Sequence, residues 1–389
     1  MQKAAIETLH IEGFLSIRQT EITLGDLCIL IGSNGAGKSN LMRLFRLLQS
    51  IADGSLQRYV AEAGGADALL HYGRKHTDHI TISICFRRPK FSSDTLSEKD
   101  TLPNDFANSY LCRLIPGAGD TLYIVEETIG FHDRQLYPRP YTRGQQAIRP
   151  ESFLVQLEQV FDNSTDKGIA RHVRDCLLSY RVYHFHDTSS TARMKQRCYI
   201  YDNTALHADA GNLAAMLLRM REEHPERYEH LLEFIRLAAP FFGDFVLDPM
   251  HARVLLRWRE RGFDKVFPPD ALSDGTLRFI CLATLLMQPP EWMPATILID
   301  EPELGLHPFA IGLIGEAMRS ASQVAQVVVS TQSPLLLDLF KPEEVIVVER
   351  IDGSSEFRRL ESNTLQDWLH EYSMGEIWEK NLIGGRPPR

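Results

Sequence analysis

The stretch LCILIGSNGAGKSN, Leu27 to Asn40, decides the fold. LCILI is short, apolar throughout and closed by a glycine, the pattern of a buried strand. Gly32, Gly35 and Gly37 let the backbone curl tightly and turn successive N–H groups inward, with Ser33, Asn34 and Ala36 between them. Lys38 adds a mobile point charge for outer phosphates, and the Ser39 hydroxyl can ligate Mg²⁺. In the following KSNLMRLFRLL, Leu41, Leu44, Phe45 and Leu48 share one helical face. That helix begins at the loop, beside Asn40, and its N-terminus aims a dipole at the bound anion. Strand, loop and helix together point to a nucleoside triphosphate.

ATILIDEPELGLHP (Ala295 to Pro308) is an apolar strand ending in two carboxylates. Asp300 at the strand end can hold Mg²⁺ opposite Ser39. Glu301 faces another direction and can take a proton from an attacking water. ALSDGTLRFICLATLL (Ala271 to Leu286) starts with a serine able to cap a helix and a glycine that permits close approach. QVVVSTQSPLLLDLF (Gln326 to Phe340) reads as one more strand and helix, with Gln332 at the junction.

The bulk numbers narrow the classes. The 389-residue chain is long enough for two domains or for one with a large insertion. A net charge of −9 argues against nucleic-acid-binding surface all over, and leaves room for a local basic patch. The opening MQKAAIETLH has no apolar signal-peptide core, and FICLATLLM is about half of what a membrane span needs. Six scattered cysteines without a CxxC pair fit reduced thiols, so a cytoplasmic protein without membrane contact is expected.

The organisation expected is an N-terminal lobe at 1–90 holding the phosphate loop, an insertion at 91–240 and a C-terminal lobe at 241–389. FSSDTLSEKDTLPNDFANS opens the insertion as a loop-rich stretch, and DTLYIVEETIGF reads as a strand or hairpin. LVQLEQVF and LAAMLLRM mark helical segments from Glu151 to about Arg181 and from Gly211 to Ala239. The last third alternates strand and helix, as a sheet with crossover helices requires.

Taken together, these motifs resemble the RecF/SMC/OLD-type branch of the ABC ATPases. Leu272 precedes Asp300 by 28 residues, and LSDGT is similar to the LSGGQ signature, with Asp274 and Thr276 as departures. RVYHFHDTSS, the AGNLAAML segment and the closing DWLHEYSMGEIWEKNLIGGRP are similar to a family of standalone bacterial RecF-like ATPases. The resemblance implies an α/β P-loop NTPase fold, a two-lobed ABC-type head with a helical insertion. It implies that ATP and Mg²⁺ are bound and that two copies close around two ATP molecules. Ser273 and Gly275 would then face the γ-phosphate held by the other subunit. It also implies a small effector partner encoded nearby, of nuclease type, in bacterial defence, or an engagement of DNA or RNA in genome maintenance. Relatives usually carry histidine where Gln332 stands; an amide still donates but cannot ionise. The glutamine that relatives place beneath the phosphate has only Gln145 and Gln146 as candidates, and Arg18 is a weak substitute for an arginine near the N-terminus.

Other readings fare less well. A transporter subunit is compact, whereas 262 residues separate Lys38 from Asp300. An OLD-type nuclease needs a further metal domain, and 49 residues after Phe340 are too few for one. HFHD (His184 to Asp187) lacks metal-hydrolase spacing and reads as a strand-end polar cluster. TARMKQRCYIY reads as a solvated basic strand. His307 serves a turn as readily as a reaction.

Overall fold

The computed structural model describes residues 4–87 and 106–386. β1 (Ala5–Phe14), β2 (Ile17–Thr23) and β3 (Leu27–Ile31) open the chain, and α1 (Lys38–Asp53) follows the phosphate loop. β4 (Ile80–Arg87), β5 (Phe106–Pro116), β6 (Leu122–Asp133) and β7 (Tyr141–Arg149) then complete an antiparallel sheet of order β2-β1-β4-β5-β6-β7. Strict alternation drives it: Ile80, Ile82, Ile84 and Phe86 are buried while their neighbours are not.

Part of the loop-rich expectation, residues 91–105, lies outside the described residues. From Phe106 onward the chain adds three strands to the first sheet, β6 where DTLYIVEETIGF reads as a strand, with β5 and β7 on either side of it. β7 escaped detection because it is an edge strand, exposed along most of its length and lacking an apolar face. Gln145 and Gln146 sit on this edge, and Gln145 accepts a hydrogen bond from Arg149. They therefore belong to the sheet that does not carry the phosphate loop.

The second sheet is built from distant pieces. After α2 (Ser164–Ser179) come β8 (Arg181–Tyr183), α3 (Leu213–Glu223), α4 (Pro225–Ala238) and α5 (Asp274–Met287). β9 (Thr296–Asp300), α6 (Pro308–Ala321), β10 (Gln326–Thr331), β11 (Val345–Ile351) and β12 (Ser354–Arg359) follow. The order is β12-β11-β3-β10-β9-β8, parallel except for the β11–β12 hairpin.

β3 shows why its sequence is continuously apolar: both faces are covered. Cys28 and Leu30 pack into the core shared with α1 and the first sheet. Leu27, Ile29 and Ile31 pack into the core beneath α3 to α6. Gln326, fully buried at the start of β10, links the two sheets. Its amide donates to the carbonyls of Ile6 and Gly25, each at 2.8 Å, and its oxygen accepts from Ile6 N–H and Thr296 Oγ1, each at 3.0 Å.

Replacing that side chain leaves several buried polar groups unpaired, each costing about 1–3 kcal/mol. Gln326→Leu is therefore expected to lower stability to denaturant by at least about 2 kcal/mol. An unchanged midpoint and slope in a urea titration would show that the amide does not join the sheets.

Candidate nucleotide site

The site follows from the register of the second sheet. Ile31 lies level with Thr331, and Asp300 with Ser330, while Ile299 pairs with Tyr183. The segments leaving β3, β10, β9 and β8 thus begin at one carboxyl edge, where open parallel sheets bind ligands. They bring the phosphate loop, Gln332, Asp300 with Glu301, and His184 to the same place.

Packing sets the loop's shape. Gly37 has φ 119° at the start of α1, and a Cβ there would collide with Ser355 Oγ. Ser355 Oγ donates to the Ala36 carbonyl at 2.6 Å and lies 2.6 Å from Ser16 Oγ, which accepts from Asn40 Nδ2 at 2.6 Å. On the other flank, Ser33 N–H donates to the Gly385 carbonyl at 2.6 Å, and a Cβ on Gly32 would strike the Val348 carbonyl. Asn34, Gly35 and Ser39 remain exposed. Arg18 is exposed on β2, where its own N–H donates to Ser354 Oγ.

Lys38 is buried, and its Nζ donates to the carbonyls of Gly32 at 2.6 Å and Ser33 at 3.1 Å. Burial pushes its pKa down, while the charges of Glu301, Asp300 and Glu303 oppose the fall. The ammonium is thus desolvated, within the electrostatic influence of three carboxylates. It lies folded onto its own loop, within the reach of an anion that would draw it away.

Gln332 Nε2 donates to Glu301 Oε1 at 2.8 Å, which fixes the carboxylate's direction. Glu301 itself has φ 49°, a left-handed conformation that costs a non-glycine residue of order 1–3 kcal/mol. Glu303 ties this turn to β10, accepting from Thr331 Oγ1 at 2.6 Å and from Gln332 N–H at 3.0 Å. Burial raises the Glu303 pKa against those hydrogen bonds.

The His184 and His186 rings lie against each other, centroids 3.5 Å apart and planes tilted by 35°. His184 Nδ1 lies 3.6 Å from Asp300 Oδ2, and His186 Nε2 lies 4.0 Å from Glu301 Oε2. Burial pushes the Asp300 carboxyl up, but its hydrogen-bond partners and the two imidazoles hold it below the ordinary value. A cavity of about 10 Å³, the size of one water, opens between His186, Arg278, Asp300 and Glu301. Asp300 Oδ1 and His186 Nε2 are buried without a hydrogen-bond partner.

These features suit Mg²⁺ and a triphosphate. The orphaned Asp300 oxygen lacks a partner, and the Ser39 hydroxyl is open. Among the described residues no three His, Cys, Asp or Glu side chains converge as a metal site. A cation here would take its remaining ligands from phosphate and water.

A family model described as "AAA domain, putative AbiEii toxin, Type IV TA system" matches residues 136–338, just over half of the chain. The chain belongs to this AAA family. The match takes in Asp300, Glu301, Gln332 and the α5 start, and lies downstream of the phosphate loop. No curated protein matches the sequence. Among solved structures, the SMC head bound to the C-winged helix domain of ScpA is similar in fold, with TM-score 0.60 over 93% of this chain and 99% of that one, at 16% identity. An SMC head with extended coiled coil from Pyrococcus furiosus, bound to the C-terminal domain of ScpA, gives 0.57 over 95% and 99%, at 14% identity. One from Pyrococcus yayanosii gives 0.52 over 95% and 99%, at 13% identity. The fold is that of an ABC-type P-loop ATPase head, and no described helix is long and apolar enough to cross a membrane.

The remaining expected residues lie at the α5 start. Ser273 is its N-cap, accepting from Thr276 N–H at 3.1 Å, and Gly275 packs so closely on Gly305 that a Cβ would strike the Gly305 carbonyl. No hydrogen bond joins either to the phosphate loop of the same chain among the described residues. His307 caps α6, its Nδ1 accepting from Phe309 N–H at 3.2 Å, which is a structural role.

Arg278, one turn into α5, escaped the sequence reading. It donates to the carbonyls of Phe185 (3.1 Å), His186 (2.9 Å) and Leu304 (3.3 Å). It thereby ties the histidine segment, the turn after Glu301 and the α5 start together. Arg278→Lys keeps the charge but loses the planar fork. It is expected to lower the thermal midpoint by several degrees and to expose the 185–191 segment to limited proteolysis. A protease pattern identical to wild type would show that the segment is held by other means.

Proposed function

We propose that this chain binds ATP with Mg²⁺, hydrolyses it, and closes as a two-fold dimer around two nucleotides to control a partner effector or to engage nucleic acid. The observation that carries the reading is the Gln332 amide aiming Glu301 beside Asp300, at the sheet edge where Lys38 faces the same carboxylates.

In this reading the loop N–H groups and Lys38 cradle the phosphates, and Lys38 exchanges its two carbonyl acceptors for phosphate oxygens. Ser39 and Asp300 hold Mg²⁺, which supplies charge neutralisation on the phosphate oxygens. Glu301 takes the proton of a water as that water's oxygen bonds to the γ-phosphorus. The bond to the bridging oxygen breaks, and its electron pair leaves with ADP. Gln332 keeps the carboxylate oriented and can donate to phosphate through its amide. Its amide cannot ionise or pass a proton on, so turnover is expected to be slow. Ser273 and Gly275 act on the partner's γ-phosphate from the start of α5, whose dipole favours an anion. A partner component is in keeping with the family's description as belonging to a type IV TA system, and a small nuclease-type effector in bacterial defence is the finer form of this reading.

Three variants test this. Lys38→Ala is expected to abolish ATP binding; retained tight Mg²⁺-dependent binding rejects the loop assignment. Glu301→Gln keeps the metal ligands and loses the base, which typically costs ~10²–10⁴-fold in rate. It should bind ATP normally and accumulate as a dimer by light scattering, and a wild-type hydrolysis rate would remove Glu301 from its role. Mixing Lys38→Ala chains with Ser273→Arg chains should restore one composite site per heterodimer. No ATP binding in proven mixed dimers would confine the α5 start to its own chain.

A further inference from the structure

The closing motif MGEIWEKNLIGGRP carries a segment that reaches the phosphate loop. The helix Met374–Glu379 docks on the second core through Met374, Ile377 and Trp378, and Ile383 follows them in. Beyond Ile383 the chain turns back over the loop. Gly384 and Gly385 have φ 77° and 80°, a left-handed pair that glycine adopts at little cost. A Cβ on Gly385 would lie 3.5 Å from Gly32 Cα, so the two backbones are in contact.

Glycines bury no side chain, so apolar burial does not account for this turn. Its contacts are polar. The Gly385 carbonyl accepts from Ser33 N–H at 2.6 Å, and Gly385 N–H donates to Glu349 Oε1 at 2.9 Å. Arg358 Nη2 donates to the Ile383 carbonyl at 2.7 Å and lies 3.8 Å from Glu349 Oε2. A Cβ at 384 would strike the Glu349 carboxylate, and one at 385 would crowd Val347 Cγ1 at 3.0 Å and Trp378 Nε1 at 3.2 Å. Contacts thus run from the β11–β12 hairpin through Gly385 to the start of the phosphate loop.

Position decides what these contacts can affect. β11 flanks β3 on one side, while β10 and then β9, which leads to Asp300 and Glu301, lie on the other. The segment therefore touches the phosphate cradle and stands away from the carboxylates assigned to metal and water. A loop held in its binding shape beforehand spares the nucleotide the cost of ordering it.

We propose that Gly385, held by Glu349, is a positioning residue of the nucleotide site that sets ATP affinity without entering the chemical step. This rests on the ATP-binding reading above. Loss of the contact removes binding common to ground and transition states, so it raises Kd and KM and leaves kcat.

The test uses the full chain with Glu349→Ala, Gly385→Ala and Glu349→Gln. Glu349 is partly exposed on β11, so its replacement leaves both cores intact. Glu349→Ala removes the acceptor of Gly385 N–H, whereas Glu349→Gln keeps an amide oxygen there. Titration with a fluorescent ATP analogue and Mg²⁺ should give a Kd about five- to tenfold weaker for both alanine variants, the scale of one hydrogen bond. KM should rise in parallel with kcat within about twofold of wild type, and Glu349→Gln should restore Kd and KM. Hydrogen exchange without nucleotide reads the contact directly. The Ser33 amide should exchange faster in both alanine variants than in wild type or Glu349→Gln. Wild-type Kd in both alanine variants, a tighter Kd in either, or a loss confined to kcat overturns the proposal. So does Glu349→Gln as weak as Glu349→Ala. Absence of ATP binding by wild type overturns it together with the reading it rests on, whereas the other outcomes overturn it alone.

Discussion

The parallel pairing of β3, β10, β9 and β8 is the constraint on which the molecule depends. Its register is set by backbone hydrogen bonds between segments up to 300 residues apart, and a slip of one residue would turn every buried side chain to the wrong core. Correctly paired, it starts four loops at one height. Neither the glycines of one loop nor the carboxylates of another make a site alone. They do so because Ile31, Thr331, Asp300 and His184 leave the sheet together. The antiparallel sheet, α1 and α3 to α6 serve that pairing by covering both of its faces.

The same edge stores strain and then locks it. Glu301 sits at positive φ, and its N–H still donates to the Ser330 carbonyl at 2.8 Å. Glu303 and Gln332 grip the turn from β10, and Arg278 grips it from α5. The phosphate loop is secured in another way, by groups from the far end of the chain. Ser355 fills the space beside Gly37, and Gly385 accepts from Ser33. The shape of the N-terminal loop therefore depends on contacts made by segments from the far end of the chain.

What could be read in the sequence was local. The phosphate loop, the DE pair, the serine cap of α5 and the apolar face of α1 each carry their signal within a dozen residues. Structure added what is non-local. His184 and His186 read as a strand-end polar cluster because β8 has only three residues, and nothing nearby says that it lies beside β9. Arg278 looks like an ordinary polar position on an apolar helix, and its acceptors are 26 to 93 residues away. Gln326 looks like the polar start of a strand, yet it is fully buried and spans both sheets. β7 was hidden for the opposite reason: as an edge strand it has no apolar alternation to betray it.

The contact between Gly275 and Gly305 bears on how two sites could influence each other. A side chain at 275 has no room, because the Gly305 carbonyl occupies the place of its Cβ. Gly305 in turn leaves no room on its other side, where a Cβ would meet the Arg278 guanidinium. The start of α5 and the turn after Glu301 are consequently packed backbone to backbone and cannot move independently. Interfaces packed this closely respond by switching arrangement more readily than by deforming smoothly. A ligand that pulled on Ser273 from a second chain would displace Gly275, hence Gly305 and Leu304, hence the turn that sets Glu301. Coupling between two nucleotides would then need no long pathway. It would follow from one contact, in which the Gly305 carbonyl leaves no room for a side chain at 275.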